Sequence, residues 1–245
     1  MIYKSRATYS DIELIVLSCN ALKITKQFLD LLYKNTKDFT IVMIDNGSQD
    51  GTPEYLKTFA DQQNNMTLVL NDTNLGVIGG RNQGYSISCT LEPKSKYILI
   101  LDNDQFVQEG WLAQHMDFLK KGYDIVGVEA WQMDRNFYPF KKNSNINEPF
   151  SYSGCGGSLI KREVIEKIGL FDDRFNPSYF EDPDFCFRAI DAGYKIGWNA
   201  NAKVVHLPHQ TLGSIADRNQ RFQNSFLKFR EKWKGRKNVM ISNKI

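Results

Sequence analysis

The sequence lacks the long apolar runs, the cysteine pairs and the large net charge that mark several classes of protein. Hydrophobic residues make up 42% of its 245 positions, yet no continuous apolar stretch is long enough to cross a bilayer. The four cysteines lie far apart and form no Cys-x-x-Cys pair: Cys19, Cys89, Cys155 and Cys186. We therefore expect free thiols in a reducing compartment, and a cytoplasmic protein with one large core or one core with a smaller appendage.

The net charge of +3 hides an uneven distribution of charge along the chain. Between Gly213 and Ile245 there are nine basic and two acidic residues, so this tail carries +7 and the rest carries −4. Within Ile215–Trp233 the apolar residues recur at three- and four-residue steps, which predicts an amphipathic helix with a basic opposite face: Phe222, Phe226, Phe229 and Trp233. Such a helix either packs on the rest of the chain or makes peripheral contact with an anionic membrane.

In the first 120 residues, apolar runs alternate with segments of helical spacing. The predicted strands are Ile12–Leu17, Thr40–Ile44, Thr67–Leu70 and Tyr97–Leu101. The predicted helices are Ile24–Tyr33, Thr52–Gln62, Gly79–Ser88 and Trp111–Lys120. This alternation predicts an α/β fold with a mainly parallel, doubly wound sheet and helices on both faces. In such sheets, ligands bind beyond the carboxyl ends of the strands.

Two carboxylates follow the last of these strands, in the segment Asp102-Asn103-Asp104. Residues two apart on an extended segment face the same way. Their hard oxygen ligands could hold Mg²⁺ or Mn²⁺ with open positions left for substrate phosphates. The alternative is a polar turn, which Asp and Asn favour for local hydrogen-bonding reasons.

Polar groups also end two other predicted strands, at Ser18-Cys19-Asn20 and at Asp45-Asn46-Gly47-Ser48. Asp45 could accept hydrogen bonds from a base or a ribose, or it could belong to a turn that caps the next helix. Gly76, Gly79 and Gly80 predict a flexible loop that carries the cation Arg81 to the same edge, unless these glycines serve backbone geometry alone.

The second half of the chain changes character. Glu129–Phe150 is rich in Asn, Lys and aromatic residues without clear periodicity, which predicts an extended excursion over the site. The small residues Gly156 and Gly157 would let a substrate lie against the backbone before a helix at Glu163–Ile168.

A further acidic cluster precedes a helix that Pro183 would open in its first turn. Its carboxylates, Glu181, Asp182 and Asp184, could interact with the helix dipole, or one of them could act as a general base. His206 ends a short apolar run, where a neutral imidazole could complete a metal shell or serve structure alone.

Taken together, these segments resemble the family 2 glycosyltransferases, which have the GT-A fold, from Ile12 to about Gln210. The matching segments, in chain order, are Val16–Asn20, Ile44–Thr52, Asn74–Gly76 with Gly80–Gly84, Leu101–Asp104, Gly156–Arg162, Phe180–Asp182 with Asp184 and Arg188, and Val204–His206. Within the family the chain looks most like the rhamnosyltransferase-like branch that builds bacterial surface polysaccharides.

The resemblance implies roles for particular residues. Asp182 would be the catalytic base, and Glu181 and Arg188 would orient the base or the sugar. Asp102 and Asp104 would hold a divalent ion, Mn²⁺ or Mg²⁺, with His206 as a further metal ligand. The residues implied in donor binding are Ser18, Asn20, Asp45, Gly76, Arg81, Asn103, Gly156, Gly157 and Arg188.

The resemblance also implies an activity, namely metal-dependent transfer of a sugar from a UDP-, dTDP- or GDP-sugar to a hydroxyl of a glycan, a lipid-linked acceptor or a protein. One base implies a single displacement and therefore inversion at the anomeric carbon. The processive members carry Gln-x-x-Arg-Trp, whereas this chain has Phe229-Arg230-Glu231-Lys232-Trp233, so we expect a non-processive enzyme. We expect no nucleic-acid partner, and a location in the cytoplasm or at the inner face of the membrane.

These inferences divide the chain into a GT-A catalytic domain at 1–212 and a basic helical tail at 213–245. Within the domain, about 12–105 would bind the nucleotide, and about 106–212 would supply acceptor and catalytic groups. Two alternatives stay open. A sugar nucleotidyltransferase would need a Gly-rich loop after the first strand, which Asn20-Ala21-Leu22-Lys23 lacks. A non-catalytic sugar-nucleotide or glycan-binding protein would use the same pocket without chemistry at Asp182.

Overall fold

The structure is a computed structural model that describes residues 1–207 and 215–236. The described helices are α1 Leu22–Asn35, α2 Thr52–Asp61, α3 Gly76–Ser88, α4 Trp111–Lys120, α5 Arg162–Ile168, α6 Glu181–Asp191 and α7 Ile215–Trp233, with a 3₁₀ turn at Asp173–Phe175. The described strands are β1 Ile2–Lys4, β2 Ile12–Ser18, β3 Thr40–Asn46, β4 Met66–Asn71, β5 Tyr97–Asp102, β6 Gln105–Val107, β7 Ile125–Gly127, β8 Ala130–Met133, β9 Pro139–Lys142, β10 Tyr152–Ser153, β11 Ser158–Lys161, β12 Ile196–Trp198 and β13 Val204–His206.

Eight of these strands form one twisted sheet in the order β1-β4-β3-β2-β5-β11-β7-β12. The four central strands, β4, β3, β2 and β5, run parallel, whereas β1 and β11 pair antiparallel with their neighbours. Parallel strands need helical crossovers, which α1, α2 and α3 supply. The predicted mainly parallel sheet with helices on both faces is confirmed, and β11 adds an antiparallel strand that the sequence pattern did not indicate.

Both faces of the central sheet are covered, which explains why its strands are mainly apolar. On β2, Leu14 and Val16 pack with α1, α2 and α4, while Ile15 and Leu17 pack in a second core on the opposite face. Alternate residues of a strand point to opposite faces, so a strand buried on both sides is apolar at most positions. Glu13 is the charged exception within β2, and it lies 3.2 Å from Arg6 and 3.5 Å from Arg162.

Glycines bring α3 unusually close to the sheet. A Cβ added at Gly80 would lie 2.5 Å from a Leu17 methyl carbon, and one at Gly84 would lie 2.5 Å from Ile44 and 2.7 Å from Ile15. The predicted helix at Gly79–Ser88 is confirmed and begins earlier, at Gly76, so these glycines do not form the flexible loop that was also predicted. The close approach places Arg81 against the end of β5.

The excursion at Glu129–Phe150 contains regular secondary structure. It contributes β8 and β9 to a three-stranded antiparallel sheet of order β10-β8-β9. A separate two-stranded sheet joins β13 to β6, with His206 opposite Gln105. The sequence did not indicate β8 and β9, because short, partly exposed strands have little hydrophobic alternation.

The apolar face of α7 packs on the main domain. Phe229 and Trp233 are fully buried, and the hydroxyl of Ser225 donates to the carbonyl of Ser178 at 3.0 Å. The predicted helix is confirmed, and its apolar face belongs to the core. The flanking parts of the predicted tail, 213–214 and 237–245, lie outside the described residues, as do the predicted domain boundary and the end of the resemblance near Gln210. No helix within 1–207 and 215–236 is long and apolar enough to cross a membrane.

Candidate active site

Three parallel strands end at one edge of the sheet, and each brings polar side chains there. In the register, Ser18 on β2 pairs with Asp45 on β3, and Leu17 pairs with Asp102 on β5. The shared edge predicted for these strand ends is therefore present. Beyond it lies a cavity of about 460 Å³.

Most of the predicted site residues line this cavity: Ser18, Gly76, Arg81, Asp102, Asn103, Asp104, Gly156, Glu181, Asp182 and His206. They come from strands, loops and helices separated by up to about 190 residues of sequence. The cavity joins the acidic pair after β5 to the acidic pair that opens α6. Other predicted residues, Asn20, Asp45, Gly157 and Arg188, do not line it.

Arg81 sits among three carboxylates. Its Nη2 atom donates to both oxygens of Asp102, at 2.7 and 2.9 Å, and Nη1 lies 3.9 Å from Glu181 Oε1. Burial opposes the charge of the guanidinium, but Asp102, Asp182 and Glu181 together raise the pKa of Arg81 above its usual range. The cation therefore neutralises part of the negative charge that the two acidic pairs concentrate here.

The acidic pair at the start of α6 is poorly hydrogen-bonded for its degree of burial. Glu181 Oε2 and Asp182 Oδ1 are both buried without a hydrogen-bond partner. Burial raises the pKa of Glu181 to about 8, with the charge of Asp182 adding to the effect. Burial also raises the pKa of Asp182, while Arg81 and Cys155 act in the opposite direction. An unpaired, desolvated carboxylate in a cavity is suited to accept a proton from a ligand.

His206 lies between two carboxylates on the other side of the cavity. Its Nε2 atom is 3.5 Å from Asp104 Oδ1, and its Nδ1 atom is 3.6 Å from Glu129 Oε1. Asp104 and Glu129 raise the pKa of His206 to about 10, so the position between these two carboxylates stabilises a positively charged group. Burial acts to raise the pKa of Glu129, but His206 and Lys142 outweigh it and lower the value to about 2.

The described residues contain no group of three or more His, Cys, Asp or Glu side chains arranged to enclose a metal ion. The predicted set of Asp102, Asp104 and His206 is thus not assembled as a closed shell, because Asp102 faces Arg81 and His206 lies between Asp104 and Glu129. The residues nevertheless fit an ion with open positions, since Asp104 Oδ1 is buried without a hydrogen-bond partner and carboxylate oxygens suit Mg²⁺ and Mn²⁺.

Arg188 does not have the role that the resemblance implies. Its guanidinium donates to Asp184 at 2.8 Å and to the carbonyl oxygens of Ile168 and Leu170 at 2.6 and 2.5 Å. It therefore ties the end of α5 to α6 instead of orienting the base or the sugar. The physical reason is helical phase, because residues 184 and 188 share one face of α6 and residue 182 lies on another.

The remaining donor-site candidates have internal partners. Asn20 accepts from the amide of Gln49 at 2.7 Å, and Gly157 donates its amide to Ile100 at 2.7 Å. Asp45 accepts from the amide of Ser48 at 2.9 Å, while its second oxygen is buried without a hydrogen-bond partner. Burial raises the pKa of Asp45. Asp45 thus keeps one free acceptor beside the cavity rim.

Two cavity-lining candidates also serve local structure. The amide of Asn103 donates to Ser18 at 3.3 Å and to Thr25 at 2.9 Å, which fixes the turn after β5. At Gly156, an added Cβ would lie 3.0 Å from Asp102 Oδ2. A larger residue at 156 would therefore displace the carboxylate.

Sequence reasoning missed several residues that line the cavity. Glu129 and Trp131 come from the small antiparallel sheet region, Tyr179 precedes α6, and Arg221 and Phe222 come from α7. Nothing in the sequence indicated that α7 would reach the same cavity.

Solved structures with the same fold define the class. The mannosyltransferase from Pyrobaculum calidifontis, solved with GDP-Man and Mn²⁺, aligns with a TM-score of 0.65 at 19% identity, over 88% of this chain and 62% of that one. GalNAc-T7, solved with UDP, GalNAc and Mn²⁺, aligns with a TM-score of 0.70 at 14% identity, over 92% and 48% respectively. The fold is therefore the GT-A fold of glycosyltransferases.

Sequence comparison gives the family. The sequence model described as Glycosyl transferase family 2 matches residues 13–189, so the chain belongs to that family. Glycosyltransferase AglE of Haloferax volcanii is 28% identical over 72% of this chain and 59% of its own length. Glycosyltransferase GlyG of Streptococcus pneumoniae is 25% identical over 71% and 55%. The chain thus spans little more than half the length of these relatives.

Proposed function

We propose that this protein transfers a sugar from a nucleoside diphosphate donor to an acceptor hydroxyl, with Asp182 as general base. The single observation that carries the proposal is that the unpartnered oxygen of Asp182 and the carboxylates of Asp102 and Asp104 belong to one cavity. A leaving diphosphate needs positive charge, and an acceptor hydroxyl needs a base. Family membership of the chain supports this assignment.

On the donor side, Asp102 and Asp104 are the proposed ligands of Mn²⁺ or Mg²⁺, with His206 as a further candidate. When bound, such an ion would neutralise the charge that develops on the departing diphosphate. Asp45 retains a buried, unpaired oxygen near the strand end, which supports its proposed contact with the nucleobase or ribose. The proposed contributions of Asn20 and Gly157 to donor binding are through loop geometry, because their polar groups already have partners.

On the acceptor side, Asp182 accepts the hydroxyl proton as the new glycosidic bond forms. Arg81 keeps the site from accumulating uncompensated negative charge, which favours the ionised base. Glu181, whose pKa is raised, is proposed to orient the sugar or the base by hydrogen bonding. One base and one displacement invert the anomeric centre, and the anomeric coupling constant of the product would identify the stereochemistry.

Replacing Asp182 tests the proposal directly. We expect Asp182→Asn to lower the rate of transfer by about 10²–10⁴-fold, the usual contribution of a general base, with donor affinity retained. Asp191→Asn is the matched control, because Asp191 lies on the same helix at an exposed position. Unchanged turnover in Asp182→Asn would remove the base assignment. A wild-type protein that binds donor yet transfers nothing would support the non-catalytic binding protein instead.

The finer assignments remain proposals. The donor would be a UDP-, dTDP- or GDP-sugar carrying a hexose or deoxyhexose. The acceptor would be a glycan, a lipid-linked sugar or a protein, used without processive extension. A relative from Bacillus subtilis, the minor teichoic acid biosynthesis protein GgaA, is 23% identical over 74% of this chain, and it supports a role in surface polysaccharide synthesis, as for the rhamnosyltransferase-like branch.

The proposed nucleotide-binding and acceptor-binding regions correspond to two successive parts of the chain. Residues 12–105 supply the strand ends that would face the nucleotide, and 106–212 supply α6 and the small sheets that would face the acceptor. A cytoplasmic location with peripheral contact at the inner face of the membrane is proposed for 213–245. Since Phe229 and Trp233 on the apolar face of α7 are buried, we propose that such contact depends on the basic side chains of the tail, so salt should abolish liposome flotation of the intact protein.

A further inference from the structure

The cavity has a second, aromatic region beyond Asp182. Phe222 of α7 lies with its ring centroid 5.1 Å from Phe180, 5.7 Å from Tyr179 and 5.8 Å from Tyr138. Phe222 and Tyr179 are only partly buried, and both line the cavity. We call Tyr179, Phe180 and Phe222 the aromatic wall.

The backbone holds this wall in an unusual conformation. Tyr179 and Phe180 have φ values of 75° and 68°, a region that bulky residues rarely adopt. Two consecutive aromatic residues of this kind immediately precede Glu181 and Asp182. Such conformations persist where surrounding contacts enforce them, and they cluster at binding and catalytic sites. Packing of Phe222 and Phe226 against Phe180 supplies those contacts.

The wall belongs to different elements of the fold from the donor side. The strand ends and the carboxylates of Asp102 and Asp104 occupy one part of the cavity lining, at the sheet edge. The aromatic wall is continuous in sequence with the base and is completed by α7. A ligand that presents a hydroxyl to Asp182 from this side would lie against partly exposed aromatic rings.

We propose that the aromatic wall is the acceptor subsite and that its ligand is a saccharide, so that α7 takes part in acceptor recognition. This inference depends on the proposed function. Pyranose rings carry an apolar C–H face that packs on aromatic rings, while their hydroxyl groups need polar neighbours. Arg221, next to Phe222, also lines the cavity, and its guanidinium N–H groups can donate hydrogen bonds to those hydroxyl oxygens.

A saccharide fits this surface better than an extended peptide. The wall is a compact set of rings around one point rather than an exposed strand edge, and peptide recognition by strand addition needs unpaired backbone groups. The surrounding lining is acidic at Asp182, Glu181 and Glu129, which suits a ligand rich in hydroxyl donors.

The test uses saturation-transfer NMR with the full-length protein and a panel of methyl pyranosides as probes. Phe222→Leu keeps most of the volume and removes the flat ring, whereas Phe222→Trp keeps a ring. We expect wild type and Phe222→Trp to saturate the ring protons of at least one methyl glycoside, and Phe222→Leu to reduce the effect at least tenfold. Leu227→Ala, at a position 59% exposed on the same helix, is the matched control and should bind as wild type does.

Binding of the donor is measured in parallel by calorimetry with nucleoside diphosphate sugars and Mn²⁺. The inference requires unchanged donor affinity in Phe222→Leu. An equal loss of donor affinity would assign the wall to the donor and overturn the inference. It is also overturned if no methyl pyranoside binds the wild type, or if Phe222→Leu binds as the wild type does. Absence of donor binding in the wild type would instead contradict the proposed function.

Discussion

Arg81 is the residue on which the charge balance of the cavity depends. It is 4% exposed and contacts Asp102 and Glu181 directly, with Asp182 close enough to affect its pKa. A buried cation among carboxylates does not necessarily increase stability, since taking charges out of water is costly. Its removal, however, would leave the acidic groups without a counter-charge.

We expect Arg81→Gln to lower the free energy of unfolding by about 3–5 kcal/mol, the usual cost of breaking a buried ion pair. Lys96→Gln is the control, because Lys96 and Asp11 form an ion pair at the surface, where water screens the attraction and its loss should change stability little. Chemical denaturation at neutral pH measures both. Equal stability of the two variants would contradict the role assigned to Arg81.

The raised pKa of Asp182 has a consequence for activity. A base must be ionised to act, so transfer should fall as pH decreases through a value above the ordinary 3.8 of an aspartate. Because Arg81 lowers the pKa of Asp182, the acidic limb should lie at still higher pH in Arg81→Gln. The pH dependence of kcat/KM checks both expectations.

The raised pKa of Asp182 also makes folding stability depend on pH, but stability changes with pH in the opposite direction to activity. A carboxyl group whose pKa is raised in the folded state binds more protons there than in the unfolded chain, so its contribution to stability falls as pH rises.

The activity profile can contradict the assignment of the base. If the acidic limb of kcat/KM lies at the ordinary aspartate value and does not change in Arg81→Gln, Asp182 is not the titrating base.

At the scale of elements, α7 holds the helix that carries the proposed base. Asp184 on α6 is fully buried and accepts from Arg188 at 2.8 Å and from the indole of Trp233 at 2.9 Å, with Lys232 Nζ also 2.7 Å away. Phe229 packs against Phe187 of α6 at a centroid distance of 5.4 Å. The orientation of α6 therefore depends on contacts from a segment about 40 residues later.

We expect Trp233→Ala to destabilise the protein by about 3–5 kcal/mol, because it removes a buried indole and one donor to Asp184. Leu227→Ala, on the exposed side of α7, should change stability by no more than about 0.5 kcal/mol. Thermal denaturation compares the two variants. A wild-type-like melting curve for Trp233→Ala would mean that α7 is dispensable for the core.

At the scale of the whole molecule, the cavity lies where the two halves of the chain meet. The carboxyl ends of β2, β3 and β5 form one side, and α6, the small antiparallel sheet and α7 form the other. A ligand that bridges both sides should stabilise the complete fold, because binding to the native state alone raises its stability.

We expect a nucleoside diphosphate sugar with Mn²⁺, at about 100 times its Kd, to add about 2.7 kcal/mol of stability. The gain should disappear on addition of EDTA and should be smaller in Asp104→Asn. Asp117→Asn, at an exposed site on α4, serves as the control. A thermal-shift measurement that shows the same gain with and without the divalent ion would contradict the proposed roles of Asp102 and Asp104.

Much of the donor side could be predicted from the sequence, and less of the acceptor side. Asp102 follows a fully apolar strand, and the parallel arrangement of β2, β3 and β5 brings such strand ends together. By contrast, the roles of Arg188 and Glu129 depend on neighbours that sequence periodicity does not identify. Arg188 pairs with Asp184 and carbonyl groups near the end of α5, whereas Glu129 contacts His206 and Lys142.

The sequence by itself determined the parallel core, the identity of the residues at its edge and the amphipathic character of α7. These follow from local periodicity, since a strand buried on both faces is mainly apolar until it ends. Only the tertiary structure decided that the segment 129–150 contributes strands to a small sheet, that Gly80 packs directly against Leu17, and that Phe222 reaches the cavity. A long side chain or a helix face can contact many alternative partners. Which contact forms depends on packing in three dimensions rather than on spacing along the chain.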